Sequence, residues 1–245
     1  MKKRPKNMQT GKHRQSLKRR NRNSIKTYNY FAGMKRSVIV FLFLLFLCFS
    51  CNVKKEKSID QVTLAVNFQL INNVKPLIKS GDIIFRNGID EVSQAARRMN
   101  RKDTSYSHCG VLFIENDSVV VYHALGGSYN PGQKLLREPI DSFCNPKDNN
   151  AFGIYRYSLS GDQLHLMQQT VLNYYKQGLK FDMYFNYFSD DKMYCSEFVF
   201  KSLNKSYGGA LSGYIRLDTI PFGVTTDDIF LHPRCKMIKK ESFKL

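Results

Sequence analysis

From residue 81 onward the apolar positions fall into short runs and helical steps. Gly81-Asp82 opens Ile83-Ile84-Phe85-Arg86, which predicts a short buried strand. Ile89, Val92, Ala95, Ala96 and Met99 step by three and four, predicting a helix over 88–99, and residues 100–107 are a polar loop. Val111-Leu112-Phe113-Ile114 and Val119-Val120-Val121-Tyr122 are β-prone runs on either side of Asn116-Asp117, good turn residues, and predict a hairpin. Residues 124–150, rich in Gly, Asn, Pro and Asp, read as a long surface loop, and Phe152–Tyr157 as another strand. Leu164, Met167, Val171 and Tyr174 predict a helix with Asp162 capping its front and Gly178 ending it. Residues 180–193 are aromatic and polar; Cys195, Phe198, Val199, Ser202 and Leu203 then repeat at helical spacing. The last 40 residues read as short strands or irregular structure around Pro221 and Pro233. Before residue 81, Val62, Ala65, Val66, Ile71, Val74 and Ile78 fit one or two helical turns. With hairpin pairing and no internal repeat, the pattern describes an α+β domain.

The hairpin has a register that can be worked out. If Asn116 and Asp117 form a two-residue loop, Glu115 pairs with Ser118, and paired positions sum to 233. His123 then lies opposite Gly110, and His108, two residues earlier, shares its face of the pleat. The two histidines become diagonal neighbours with Cα atoms roughly 7–8 Å apart, and Gly110 leaves room beside them. Cys109 points to the opposite face and reads as core.

Composition excludes global disorder: 245 residues are 42% hydrophobic and 13% aromatic, enough to build a core. The formal charge of +18 would suggest a nucleic-acid partner, but its distribution argues otherwise. Residues 1–33 hold eleven Lys/Arg and no acid, and Lys35 and Arg36 add two more; residues 37–245 hold 25 basic and 20 acidic residues, a net of +5. No specific nucleic-acid binding is expected of the domain.

Met34-Lys35-Arg36 followed by the apolar stretch Ser37–Leu47 has the form of a secretory signal, short for a bilayer span of ~20 apolar residues. Leu47-Cys48-Phe49-Ser50-Cys51 resembles a bacterial lipobox, with Cys51 as the lipidated residue; an uncleaved anchor is the alternative reading. The expected organisation is a basic tail over 1–33, explained by a start codon called upstream of Met34; a lipoprotein signal over 34–51; a tether over 52–60; and one domain over 61–245. Export places that domain in the cell envelope, lipid-anchored, on the periplasmic or outer-membrane side, where disulfides are permitted. Cys109, Cys144, Cys195 and Cys235 remain for the domain, without the C-x-x-C or C-x-x-H spacing of a structural zinc site.

The chemistry centres on Cys195. A cysteine in the first turn of a helix, here with Asp190 or Asp191 as candidate caps, meets unpaired N–H groups and the positive end of the helix dipole. Both favour thiolate. With a histidine to exchange its proton and a polar group to orient that histidine, it satisfies the logic of a nucleophilic triad. Taken singly, a cysteine before a helix is more often a small buried hydrophobe, Asp82 a turn residue, and Tyr184, Phe185, Tyr187 and Phe188 core or groove lining.

Taken together, Gly81-Asp82-Ile83-Ile84-Phe85, Ser107-His108-Cys109-Gly110-Val111 and Tyr194-Cys195-Ser196-Glu197-Phe198-Val199 resemble the YiiX/YebB-like cysteine hydrolases, the permuted branch of the NlpC-type papain-like superfamily. The resemblance spans about residues 80–205. It implies a circularly permuted papain-like fold, an antiparallel sheet packed against helices with the cysteine on a helix N-terminus. It implies Cys195 as nucleophile, His108 as base and His123 as orienter. Many relatives carry Glu at that third position; lecithin retinol acyltransferase, a distant relative, uses a second His. Tyr194, with Asp82 and Tyr106, is expected to line the pocket, and Glu197 to be structural. No cofactor or metal is implied. The expected activity is cleavage of an amide in a cell-wall peptide through a thioester. The alternatives are a lipid acyl hydrolase or acyltransferase, and a non-catalytic envelope module that binds such ligands.

Overall fold

A computed structural model of the chain describes residues 60–215, 218 and 223–244. The basic tail, the signal segment with Cys51 and nearly all of the tether lie outside the described residues.

Helix α1, Gln61–Val74, starts where the Asp60 carboxylate accepts the Thr63 N–H at 2.9 Å, and runs nearly four turns rather than one or two. Strand β1, Ile83–Gly88, follows, then helix α2, Glu91–Arg98, capped by Asp90. The apolar steps that predict α2 do not mark a core face: none of its residues is buried. Strands β2, His108–Glu115, and β3, Ser118–His123, form the hairpin, with Asn116 and Asp117 both at positive φ as a tight primed turn requires. Every printed pair sums to 233, from Val111 with Tyr122 to Glu115 with Ser118.

The segment expected to be a long loop carries a 3-10 turn, Gly127–Tyr129, a strand and a short helix. Strand β4, Leu136–Pro139, pairs with β3, and the single turn α3, Ile140–Phe143, follows it at once. The chain continues through β5, Asn149–Tyr157, and helix α4, Gly161–Gln177. Ser160 rather than Asp162 caps α4, in a reciprocal exchange with Gln163, and Gly178 ends it at φ 67°. Helix α5, Cys195–Ser206, the short helix α6, Thr226–Phe230, and strand β6, Cys235–Ser242, complete the order.

The strands form one antiparallel sheet in the order β4-β3-β2-β1-β5-β6. Both faces are buried, which is why β2 and β3 read as continuous apolar runs rather than alternating ones. Phe85, Cys109, Val111, Phe113 and Tyr122 pack with α4 and α5 through Met167, Val171, Phe198, Val199 and Leu203. Ile84, Leu112, Val121, Phe152 and Ile154 pack on the other face with Ile71 and Val74 of α1 and with Ile140 and Phe143 of α3.

Candidate active site

The loop that delivers His108 is clamped before β2 begins. The buried Asp227 carboxylate on α6 accepts the N–H groups of Arg101, Lys102 and Asp103 at 2.9, 2.6 and 3.2 Å. Thr226 donates to the Asn100 side chain at 2.9 Å and to the Tyr106 carbonyl at 3.1 Å. Three N–H groups on one buried carboxylate leave the strand entry little freedom.

His108 opens β2 and His123 ends β3, and both rings are buried. His108 Nε2 lies 2.8 Å from His123 Nδ1, the diagonal contact expected from the register. Gly110 makes that approach possible: a Cβ there would stand 2.6 Å from Val121 Cγ1 and 3.0 Å from His123 Cβ. Phe143 backs both imidazoles, its centroid 5.6 Å from His108 and 5.0 Å from His123. Behind His123, Nε2 stands 3.0 Å from Glu138 Oε1 on β4.

Cys195 is the first residue of α5 and only partly buried. Tyr194, not Asp190 or Asp191, holds the cap position, its N–H donated to Glu197 at 3.3 Å, while Asp190 pairs with Lys201 at 2.7 Å. Glu197 also meets Lys201 at 2.8 Å, so its role here is to hold the helix start. The Cys195 thiol is held well below its ordinary value. The first cause is a hydrogen bond from the Cys109 thiol, opposed by burial and reinforced by the charge and hydrogen bond of His108 and by the Cys109 N–H. Cys109 is pushed the other way, first by burial and then by Cys195, so Cys195 is the member of the pair that ionises. Cys109 is thus buried in the core as expected, but it is also a direct neighbour of the candidate nucleophile, which pattern alone did not reveal.

His123 titrates at about 4, lowered first by burial and then by the charges of His108 and Arg86, with Glu138 opposing. Glu138 lies below its usual range: burial works against ionisation, but His123, Arg86 and His108 outweigh it. Arg86 pairs with His108 across the ladder and donates to the Phe143 carbonyl at 2.8 Å, its guanidinium 4.7 Å from that ring's centroid.

The structure therefore brings Cys195, His108 and His123 together. It places two of the three weaker candidates elsewhere. Asp82 is buried in a bidentate pair with Arg156 at 2.6 and 2.7 Å, near the far end of β1. Tyr106 is buried in an aromatic cluster, its hydroxyl 3.3 Å from that of Tyr155. Tyr194 does line a cavity of about 280 Å³, with Met99, Tyr184, Phe185 and residues 223–225, and its hydroxyl accepts the Val224 N–H at 2.9 Å. Glu138 and Arg86 are the charged neighbours that motif reading missed. Glu138 sits in the segment taken for a loop, and Arg86 signalled only a strand.

Residues 77–227 match the family model described as permuted papain-like amidase enzyme, YaeF/YiiX, C92 family. The chain is 30% identical over 132 residues to the uncharacterized protein YiiX of Escherichia coli strain K12. That alignment covers 53% of this chain and 59% of the relative, so the chain spans little more than half of it. A crystal structure titled metalloprotein yiiX, from Escherichia coli O157:H7, superposes with a TM-score of 0.51 at 22% identity, covering 67% of this chain and 98% of that one. At that identity it speaks for the fold.

Proposed function

The chain belongs to the permuted papain-like amidase family of YaeF and YiiX, and from that premise we propose that it is an exported, membrane-anchored cysteine hydrolase cleaving an amide of a cell-wall peptide. The observation that carries the reading is the Cys195 thiol at a helix start, held low with the charge of His108 among the causes, and His108 itself 2.8 Å from His123.

The mechanism follows from which atoms face each other. His108 Nε2 is committed to His123, so Nδ1 is the nitrogen that takes the Cys195 proton. The thiolate attacks the carbonyl carbon, the C=O electron pair moves onto oxygen, and N–H groups at the head of α5 stabilise the oxyanion. Such a donor contributes about 3–4 kcal/mol in well-studied enzymes. The tetrahedral adduct collapses to a thioester as the amine leaves with the proton held on His108. Water, deprotonated by His108, then attacks the thioester carbonyl; the acid departs and the Cys195–His108 pair is restored.

The structural relative's title names a metalloprotein, and the present side chains do not suit a metal. His108 Nε2 faces His123 Nδ1, the remaining nitrogen of His123 stands 3.0 Å from Glu138, and no group of three or more ligating side chains converges among the described residues.

One observation favours a second reading, an enzyme acting on lipid acyl groups: the cavity beside Tyr194 is lined by Met99, Tyr184, Phe185, Tyr194 and residues 223–225, without a charged side chain. Two measurements on the purified protein test these readings. Iodoacetamide is expected to alkylate Cys195 at least tenfold faster than Cys144 or Cys235, since thiolate is the reactive form. Muropeptides and phospholipids, each incubated with protein and Cys195→Ala and read by mass spectrometry, decide between the substrates. Equal labelling of all three cysteines, with no product lost in Cys195→Ala, would leave a binding module instead.

A further inference from the structure

Among the described residues Glu138 is the one carboxylate in an ion-pair contact with the histidine pair, and that contact has a directional consequence. An ionised carboxylate can only accept hydrogen bonds. Glu138 Oε1 stands 3.0 Å from His123 Nε2, outside hydrogen-bond alignment but close enough for the carboxylate charge to favour a proton on that nitrogen. A neutral His123 then has a bare Nδ1, which can only accept, and the group 2.8 Å away is His108 Nε2. His108 must therefore keep a proton on Nε2, leaving Nδ1 as its basic nitrogen.

Resting on the cysteine-hydrolase reading, we propose that Glu138 is a positioning residue of this site: through two imidazoles in series it sets the tautomers so that the only basic nitrogen of the pair faces Cys195. The surroundings are built to keep that order. His123 is fully buried and Phe143 backs both rings, so the His123 imidazole has no water to turn to. Arg86, stacked on Phe143, is the cation beside this group, favouring the anionic form of Glu138 and the neutral form of His123. The charged and titratable groups facing this chain of contacts are Arg86 on β1, His108 and Cys109 on β2, Glu138 on β4 and Cys195 on α5, with Cys144 and Asp148 acting on Arg86. When His108 becomes imidazolium during turnover, the carboxylate behind His123 stabilises it by its charge, a role a lone second histidine would fill less well.

The test has two parts. Long-range ¹H–¹⁵N correlation spectra of the unmodified protein report which ring nitrogens carry protons. His123 is expected to be protonated at Nε2 and bare at Nδ1; a proton on Nδ1 overturns the proposal, and this measurement needs no variant to fold. Alkylation of Cys195 by iodoacetamide is then followed from pH 5 to 9 in the protein, in Glu138→Gln and in Glu138→Asp. Glu138→Gln is expected to react roughly tenfold more slowly at pH 7, with its midpoint moved up, and Glu138→Asp to recover part of both. An unchanged rate and midpoint in a Glu138→Gln protein of native far-UV spectrum overturns the inference while leaving the hydrolase standing. If Cys195 of the unaltered protein reacts no faster than Cys144 or Cys235, both readings fall.

Discussion

A histidine with no exposed surface cannot be hydrated when it gains a proton, and His123 titrates at about 4 for that reason. In the unfolded chain the same imidazole titrates near 6.5. Between those values the unfolded chain binds a proton that the folded one refuses. The contribution is therefore fully present above about pH 6.5 and is lost as pH falls through about 4. Its size is on the order of 3 kcal/mol, at 1.36 kcal/mol per pH unit. Urea denaturation at pH 7 and pH 4 is expected to show this loss in the unaltered protein and a flatter dependence in His123→Gln. Equal pH dependence in both would assign the loss to another group. At this scale the sequence was readable where geometry is local. The 233 register depends only on a two-residue turn, and it placed His123 beside His108 before any coordinates. Glu138 was not readable, because nothing local ties it to a residue fifteen positions earlier.

Strand β4 and the turn α3 show why. Leu135-Leu136-Arg137-Glu138-Pro139 has no alternation long enough to register as a strand, and Gly, Asn and Pro surround it. It becomes a strand because it pairs with β3, Val121 against Glu138 and His123 against Leu136. Helix α2 errs in the other direction: its apolar spacing is regular, yet Val92 is 72% exposed, so spacing alone does not bury a face. Helix α4 is the element whose ends are most local. The Ser160 hydroxyl accepts the Gln163 N–H at 3.2 Å while Gln163 accepts the Ser160 N–H at 2.9 Å. Ser160→Ala is expected to cost about 1 kcal/mol, read as a lower midpoint in thermal melts, with the iodoacetamide rate of Cys195 unchanged. A coupled loss of thiol reactivity would mean that α4 does more than support the sheet face on which α5 packs.

For the whole molecule, the described domain closes on itself through Asn67. Fully buried on α1, its amide donates to the Lys244 carbonyl at 2.8 Å and accepts the Lys244 N–H at 2.9 Å, joining residues 177 apart in sequence. What precedes the domain decides where it works. The pattern from Met34 to Cys51 carries the expectation of a lipid anchor, and mass spectrometry of the membrane fraction is expected to find an acylated N-terminal peptide beginning at Cys51. A soluble product that retains residues 1–33 would remove both the anchor and the envelope location from the reading. By itself the sequence determined the α+β class, the hairpin register, the Cys195 helix and the pairing of His108 with His123, because each follows from contacts within a few residues or one tight turn. Only the tertiary structure decided that β4 joins the sheet, that Cys109 neighbours Cys195, and that Glu138 and Arg86 flank the histidines. Those contacts bridge separate elements that meet only when the sheet and helices assemble, which no spacing along the chain encodes.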